Sequence, residues 1–134
     1  MHKQRNQNGF TLVELMITIV IVGVLASVAI PLYQANVKRA KASEADAALG
    51  SVRTAMRVYY AENGSYPTQV TYLAPWQLTG VDVDSADMVG RYFPATCYKY
   101  KSADGSSYTI QATGSGESSG INRQMDESGT LSNF

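Results

Sequence analysis

From Phe10 to Ile30 the chain runs through 21 residues in which Glu14 is the only charge, and nearly every other charged residue lies after position 37. An α-helix over this run would be roughly 31 Å long at about 1.5 Å per residue, matching a hydrocarbon core about 30 Å thick. The pattern predicts one membrane span over 10–30. Two residues weaken it. Gly23 costs roughly 1 kcal/mol relative to Ala in a helix interior, and Pro31 removes a backbone donor and crowds the carbonyl four residues back, near Ser27. The stretch from Gly23 to Pro31 is therefore a candidate hinge, set against the general enrichment of Gly and Pro in membrane helices.

Beyond Pro31 the helical period resumes, giving one long helix over 10–63. Leu49, Val52, Met56 and Tyr59 or Tyr60 recur at steps of three and four, with Arg53, Arg57 and Glu62 off that line, so one face can cover a sheet. Lys41 and Glu44 are spaced to pair at i,i+3 on a solvated face. Asn63-Gly64 supplies a helix stop and Pro67 reinforces it; with Ser65 the same residues spell an N-glycosylation acceptor, to which the stop is preferred.

Residues 64–94 read as a connection with weak periodicity. Its acidic stretch Asp82, Asp84, Asp87 alternates oxygen ligands in a way that raises calcium, but the residues at the sixth and twelfth positions from Asp82 are Asp87 and Phe93, where an EF-hand needs Gly and Glu. A solvated loop with Asp84 or Ser85 capping a short turn is the better reading. The last third alternates: Thr96, Tyr98 and Tyr100 against Cys97, Lys99 and Lys101, a turn at Asp104-Gly105, then Tyr108, Ile110 and Ala112 against Thr109, Gln111 and Thr113. A Gly/Ser-rich loop (114–120), a short strand (121–125), a turn (126–129) and a closing strand (130–134) follow. The fold class is α+β: a long N-terminal helix packed against an antiparallel sheet of three to four strands, with 64–134 forming loop and sheet. Alternation with lysines would leave Cys97 half exposed, against the general tendency of free cysteines to be buried.

Composition narrows function mainly by exclusion. A single cysteine cannot form an intrachain disulfide or any two-Cys metal or dithiol motif, and His2, the lone histidine, sits in a basic tail where no Ser/His/Asp triad or histidine metal site can be built. No phosphate-binding Gly-rich motif follows a predicted strand. Neither enzyme chemistry nor a cofactor or metal is indicated. Eleven Lys plus Arg balance eleven Asp plus Glu, and only Lys38-Arg39-x-Lys41 forms a basic cluster, so direct nucleic-acid binding is not indicated. Aromatic residues make up 10% of the chain, an ordinary share that cross-strand pairing explains better than electron conduction.

The first nine residues carry Lys3 and Arg5 and no acid, like the head of an export signal, but Phe10 opens the apolar run directly after Gly9. A cut between Gly9 and Phe10 would leave the span on the mature chain and bring its net charge to −2. Lys and Arg flank the span on both sides and slightly favour the orientation opposite to export. The string Gly9-Phe10-Thr11-Leu12-Val13-Glu14-Leu15, with the apolar run to Ala29-Ile30-Pro31, resembles the prepilin signature of type IV pilins and of the related type II secretion pseudopilins.

The resemblance implies a leader (1–9) removed by a prepilin peptidase, N-methylation of Phe10, and Glu14 as the fifth mature residue, where the family carries its acidic assembly residue. It further implies the type IV pilin fold and a homopolymeric extracellular filament. The subunit would be drawn from the inner membrane, where it first sits as a single-pass protein, by an assembly platform with a cytoplasmic ATPase. The Gly23–Pro31 stretch would lose helical order in the filament. A carboxylate inside an apolar span costs about 2.5–3.5 kcal/mol on insertion scales unless it finds a partner or reaches the headgroups. Glu14 would find its partner in the amine of a neighbouring subunit's Phe10. The C-terminal disulfide of many type IV pilins is closed to a chain with Cys97 alone. Alternatives are a type II secretion pseudopilin, whose late calcium loop does not correspond to Asp82–Asp87, and a single-pass anchored binding protein that never polymerises.

Overall fold

The structure, a computed structural model, describes residues 9–134. The leader expected over 1–9 lies outside the described residues except for Gly9. The chain divides into two compact units, one up to Asn36 and the other Val37–Phe134, and helix α1 (Leu12–Asn63) contributes to both.

In the first unit α1 is apolar on all sides and its side chains stand exposed, from Leu12 at 72% to Leu32 at 61%. Thr18 and Ser27 return their hydroxyls to the carbonyls of Glu14 and Val24 at 2.7 Å each, which removes the cost of a polar group on such a surface. The helix runs through Pro31 unbroken.

In the second unit the Ala-rich helix buries one stripe, Ala45, Leu49, Val52 and Met56, at steps of four, three and four. Each such side chain the size of Leu49 is worth about 1.5–3 kcal/mol on full burial. Off the stripe, the hydroxyls of Ser43, Ser51 and Thr54 bond the carbonyls four residues back. The expected stop is built as read: Gly64 at φ +73° donates its N–H to the Tyr60 carbonyl at 2.8 Å, and the Asn63 amide bonds the Tyr59 carbonyl.

The stripe lies on five antiparallel strands in chain order, β1 (Gln69–Leu73), β2 (Tyr98–Ser102), β3 (Thr109–Thr113), β4 (Asn122–Asp126) and β5 (Leu131–Asn133). The hairpin register is Tyr98 opposite Ala112 and Tyr100 opposite Ile110, and these residues with Tyr108 form the sheet's share of the core. Burial pushes the Tyr100 phenol up to about 12 and raises those of Tyr98 and Tyr108 as well. Tyr100 still donates to the Pro67 carbonyl at 2.8 Å, whereas the buried hydroxyls of Tyr98 and Tyr108 have no partner among the described residues.

Three details differ from the sequence reading. The sheet has five strands, not three to four, because β1 arises within the segment read as a connection. It is an edge strand whose Val70, Thr71 and Tyr72 are exposed, so neither face leaves a burial pattern. Cys97 is buried at 6% because the strand begins only at Tyr98, and the 3₁₀ turn Ala95–Cys97 before it points the thiol inward, 3.5 Å from the Ser115 hydroxyl. Lys41 and Glu44 do not pair. Lys41 reaches Glu117, bonding its carbonyl at 2.6 Å and lying 3.9 Å from its carboxylate, with its ammonium over the Tyr92 ring. Glu44 accepts the backbone N–H groups of Tyr92 and Phe93, both at 2.8 Å.

Candidate assembly site

The first residues of α1 are organised around its end. Gly9, Phe10 and Thr11 precede the helix, and Phe10 is 82% exposed. Thr11 occupies the N-cap. Its hydroxyl accepts the Glu14 N–H at 3.2 Å and donates to Glu14 Oε2 at 2.8 Å, while the Thr11 N–H donates to the same oxygen at 2.8 Å. This is a capping box, in which cap and third helical residue satisfy each other's backbone donors. The carboxylate also stands in the first turn, where the helix dipole favours negative charge.

Thr11 was missed by the sequence reading although its signal was present, since Thr-x-x-Glu before an apolar run spells the box. Its consequence is that Glu14 is held in a defined direction by its own chain. One oxygen is taken by Thr11, and the side chain as a whole is exposed. Beyond it, Val13, Met16, Ile17, Val20 and Ile21 line a shallow apolar surface that nothing among the described residues covers. A bare apolar face of this extent marks a membrane or protein contact. The helix is long and apolar enough to cross a membrane.

The other singled-out residues lie apart from this end. Gly23 is in the helix interior with no atom within 4 Å of where a Cβ would stand, and Pro31 sits inside the same helix. Asp84 caps the short turn as expected, accepting the Ala86 N–H at 3.0 Å. Asp82 borders a hollow beside Tyr59 and Glu62, and Asp87 lines another beside Glu44 and Met88. Among the described residues no group of three or more His, Cys, Asp or Glu side chains is disposed to hold a metal ion. The head is tied to the helix instead by Arg123, whose guanidinium grips Asp46 at 2.7 and 2.9 Å and bonds the Asn133 amide oxygen at 2.7 Å.

Comparison with known proteins finds pilins and fimbrial proteins. The chain is 42% identical over 86 residues to a type IV major pilin protein PilE1 of Neisseria gonorrhoeae, covering 64% of this chain and 48% of that one. A fimbrial protein of Neisseria meningitidis serogroup A is 43% identical over 86 residues, covering 64% and 46%. Fimbrial protein EcpC of Eikenella corrodens is 48% identical over 61 residues, covering 46% and 40%. The chain thus spans about half the length, or less, of these curated relatives. A solved type IV pilin from Shewanella oneidensis aligns over 70% of this chain and 89% of its own with a TM-score of 0.47 and 18% identity. Residues 4–30 match the prokaryotic N-terminal methylation motif. Residues 31–130 match the family described as type IV minor pilin ComP, DNA uptake sequence receptor, and the chain belongs to that pilin family.

Proposed function

We propose that this chain is a structural subunit of a type IV pilus and not an enzyme. It is held in the inner membrane by residues 10–30, processed by a prepilin peptidase between Gly9 and Phe10, methylated at Phe10, and polymerised into an extracellular filament by a platform and its cytoplasmic ATPase. The observation that carries this reading is the apolar, uncovered first half of α1 with Glu14 fixed at its head by Thr11. A filament core would cover that face, and the carboxylate would meet the Phe10 amine of a neighbour, a partner that exists only after cleavage. Mass spectrometry of membrane and filament fractions tests the processing: the mature chain begins at methylated Phe10, and an intact Met1 or a cut after Ala29 refutes it.

The capping box separates two roles of Glu14. Glu14→Gln keeps an acceptor for Thr11 and loses the charge, whereas Thr11→Val keeps the charge and loses the cap hydroxyl. Charge pairing predicts that Glu14→Ala and Glu14→Gln both insert and are cleaved but give few filaments, while Thr11→Val assembles with a modest loss. Normal filaments from Glu14→Gln would mean that the carboxylate serves only as a cap.

A second reading comes from the family's description as a DNA uptake sequence receptor. The sequence alone gives no sign of nucleic-acid binding, but Lys99 stands across from Gln111, and Gln111 across from Gln124, with the Lys101 ammonium over the Tyr72 ring beside them. These groups suit phosphate and base-edge contacts. Duplex binding that weakens with salt and with Lys99→Gln supports this role; binding indifferent to both refutes it.

A further inference from the structure

The second unit carries a cleft of about 320 Å³ between α1 and the β4–β5 end of the sheet. Lys38, Arg39 and Arg123 line it, with the Asn122 amide among them, and Ile121 and Phe134 give it an apolar side. No acidic side chain lines it. Arg123 is balanced by Asp46, and nearby Lys41 by Glu117. Lys38 and Arg39 are exposed and form no ion pair among the described residues; the concavity they face also holds Arg123 and, across it, the Phe134 main-chain oxygen, which accepts one N–H of the Asn122 amide at 3.4 Å and leaves the other free.

Position along the chain identifies what could balance them. Three residues past the end of the apolar run stands Tyr33, which is 70% exposed and of the type that sits at the headgroup level of a bilayer. Lys38 follows five residues later, and even a fully extended chain would carry it no more than about 18 Å from Tyr33. A Lys or Arg held this close to a bilayer surface gains about 1 kcal/mol from anionic headgroups.

We propose that this cleft holds the phosphate headgroup of an anionic phospholipid while the subunit is anchored in the membrane. Lys38 and Arg39 meet the phosphodiester, the Asn122 amide bonds the head, and the Ile121 and Phe134 side receives its apolar flank. The proposal rests on the membrane-anchored stage argued above and does not require polymerisation. It gives the subunit a membrane contact separate from the span, one that extraction into a filament must break.

The full chain, reconstituted in vesicles of phosphatidylglycerol and phosphatidylcholine, tests this by counting the lipids retained after gentle release into detergent and native mass spectrometry. The wild type retains phosphatidylglycerol in preference to phosphatidylcholine. Lys38→Gln and Arg39→Gln each weaken retention about fivefold, and together about 30-fold, the effect of a cation near an anionic surface. Arg57→Gln, the same charge change on an exposed part of the helix away from the cleft, leaves retention unchanged. All three side chains are exposed, and circular dichroism checks that the fold is intact. Equal retention of both lipids, equal loss in Arg57→Gln, or displacement of the lipid by a short DNA duplex at matched phosphate concentration would overturn the proposal, the last in favour of a nucleic-acid site. A chain that enters neither lipid would overturn the membrane anchor with it, whereas entry without selective retention overturns only the cleft.

Discussion

Replacing Glu44 exposes how the head is fastened to the helix. Its single oxygen Oε1 accepts two backbone N–H groups, from Tyr92 and Phe93, at 2.8 Å each. Tyr92 also offers its carbonyl to the Ser118 hydroxyl at 2.8 Å, so this one segment joins α1 to the loop between β3 and β4. A hydrogen bond to a charged group contributes about 1.5–3 kcal/mol, and both donors lose their partner in Glu44→Ala. The site is only partly buried, so water replaces some of the loss and the lower end applies, about 3 kcal/mol in all. Glu44→Gln keeps an acceptor in place without its charge and should cost about 1–2 kcal/mol. In a domain of this size a loss of 1 kcal/mol lowers Tm by about 4–8 °C, so the alanine variant should melt about 12–24 °C below the parent. Trp76, half-buried against the core, reports the transition by fluorescence in the detergent-solubilised full chain. Equal melting of parent and Glu44→Ala, or a Gln variant less stable than the Ala variant, would refute the account.

Tyr100→Phe removes a buried hydrogen bond and strands the Pro67 carbonyl, costing about 1–2 kcal/mol, whereas Tyr108→Phe removes a hydroxyl without a partner and should be neutral or stabilising. Thermal melts compare them, and the opposite order refutes the reasoning. The Asp126 carboxyl is held below its ordinary value of 3.8, first by the Ser128 hydroxyl and then by the Thr130 N–H. Its contribution to the β4–β5 turn is therefore present above the ordinary carboxylate range and is lost as pH falls through the lowered value. Exchange of the Thr130 amide should accelerate relative to its neighbours over that acid interval, and Asp126→Asn should abolish the dependence. The stretch from Gly23 to Pro31, helical in this structure, should be extended in the filament; unbroken helix there in a filament reconstruction refutes the hinge.

The parts legible in the sequence are those whose physics is periodic or local. The apolar run, the buried stripe from Leu49 to Met56, the Gly64 stop and the Tyr98–Ala112 hairpin each leave a pattern within a few residues. The Asp84 cap was legible for the same reason, and Thr11 was too, through its Thr-x-x-Glu spacing, though it was not read. Strand β1 left no trace because it is an edge strand exposed at Val70, Thr71 and Tyr72 and partly covered only at its ends, so it has no alternation to display. Lys41 finds Glu117, Glu44 finds Tyr92 and Arg123 finds Asp46, each 48 to 77 positions away, through a carbonyl, an amide or a carboxylate. No local pattern encodes such a pairing. The alternation was extended over Thr96 and Cys97, which belong to the turn before β2, and there it no longer gives the direction of the thiol.

The two borders of the sheet bear on how copies of this chain meet. A meander in chain order leaves unpaired N–H and C=O groups along both outer strands, a template on which another copy could add a strand. Here one border is only three residues long, and the other loses register with its neighbour between Gln69 and Leu73. Short and irregular borders are poor templates, so heads crowded together have little means of fusing their sheets into a continuous ribbon. In the filament proposed above, self-association would thereby be steered away from the backbone of the head and left to the apolar helix, the difference between an ordered polymer and an aggregate.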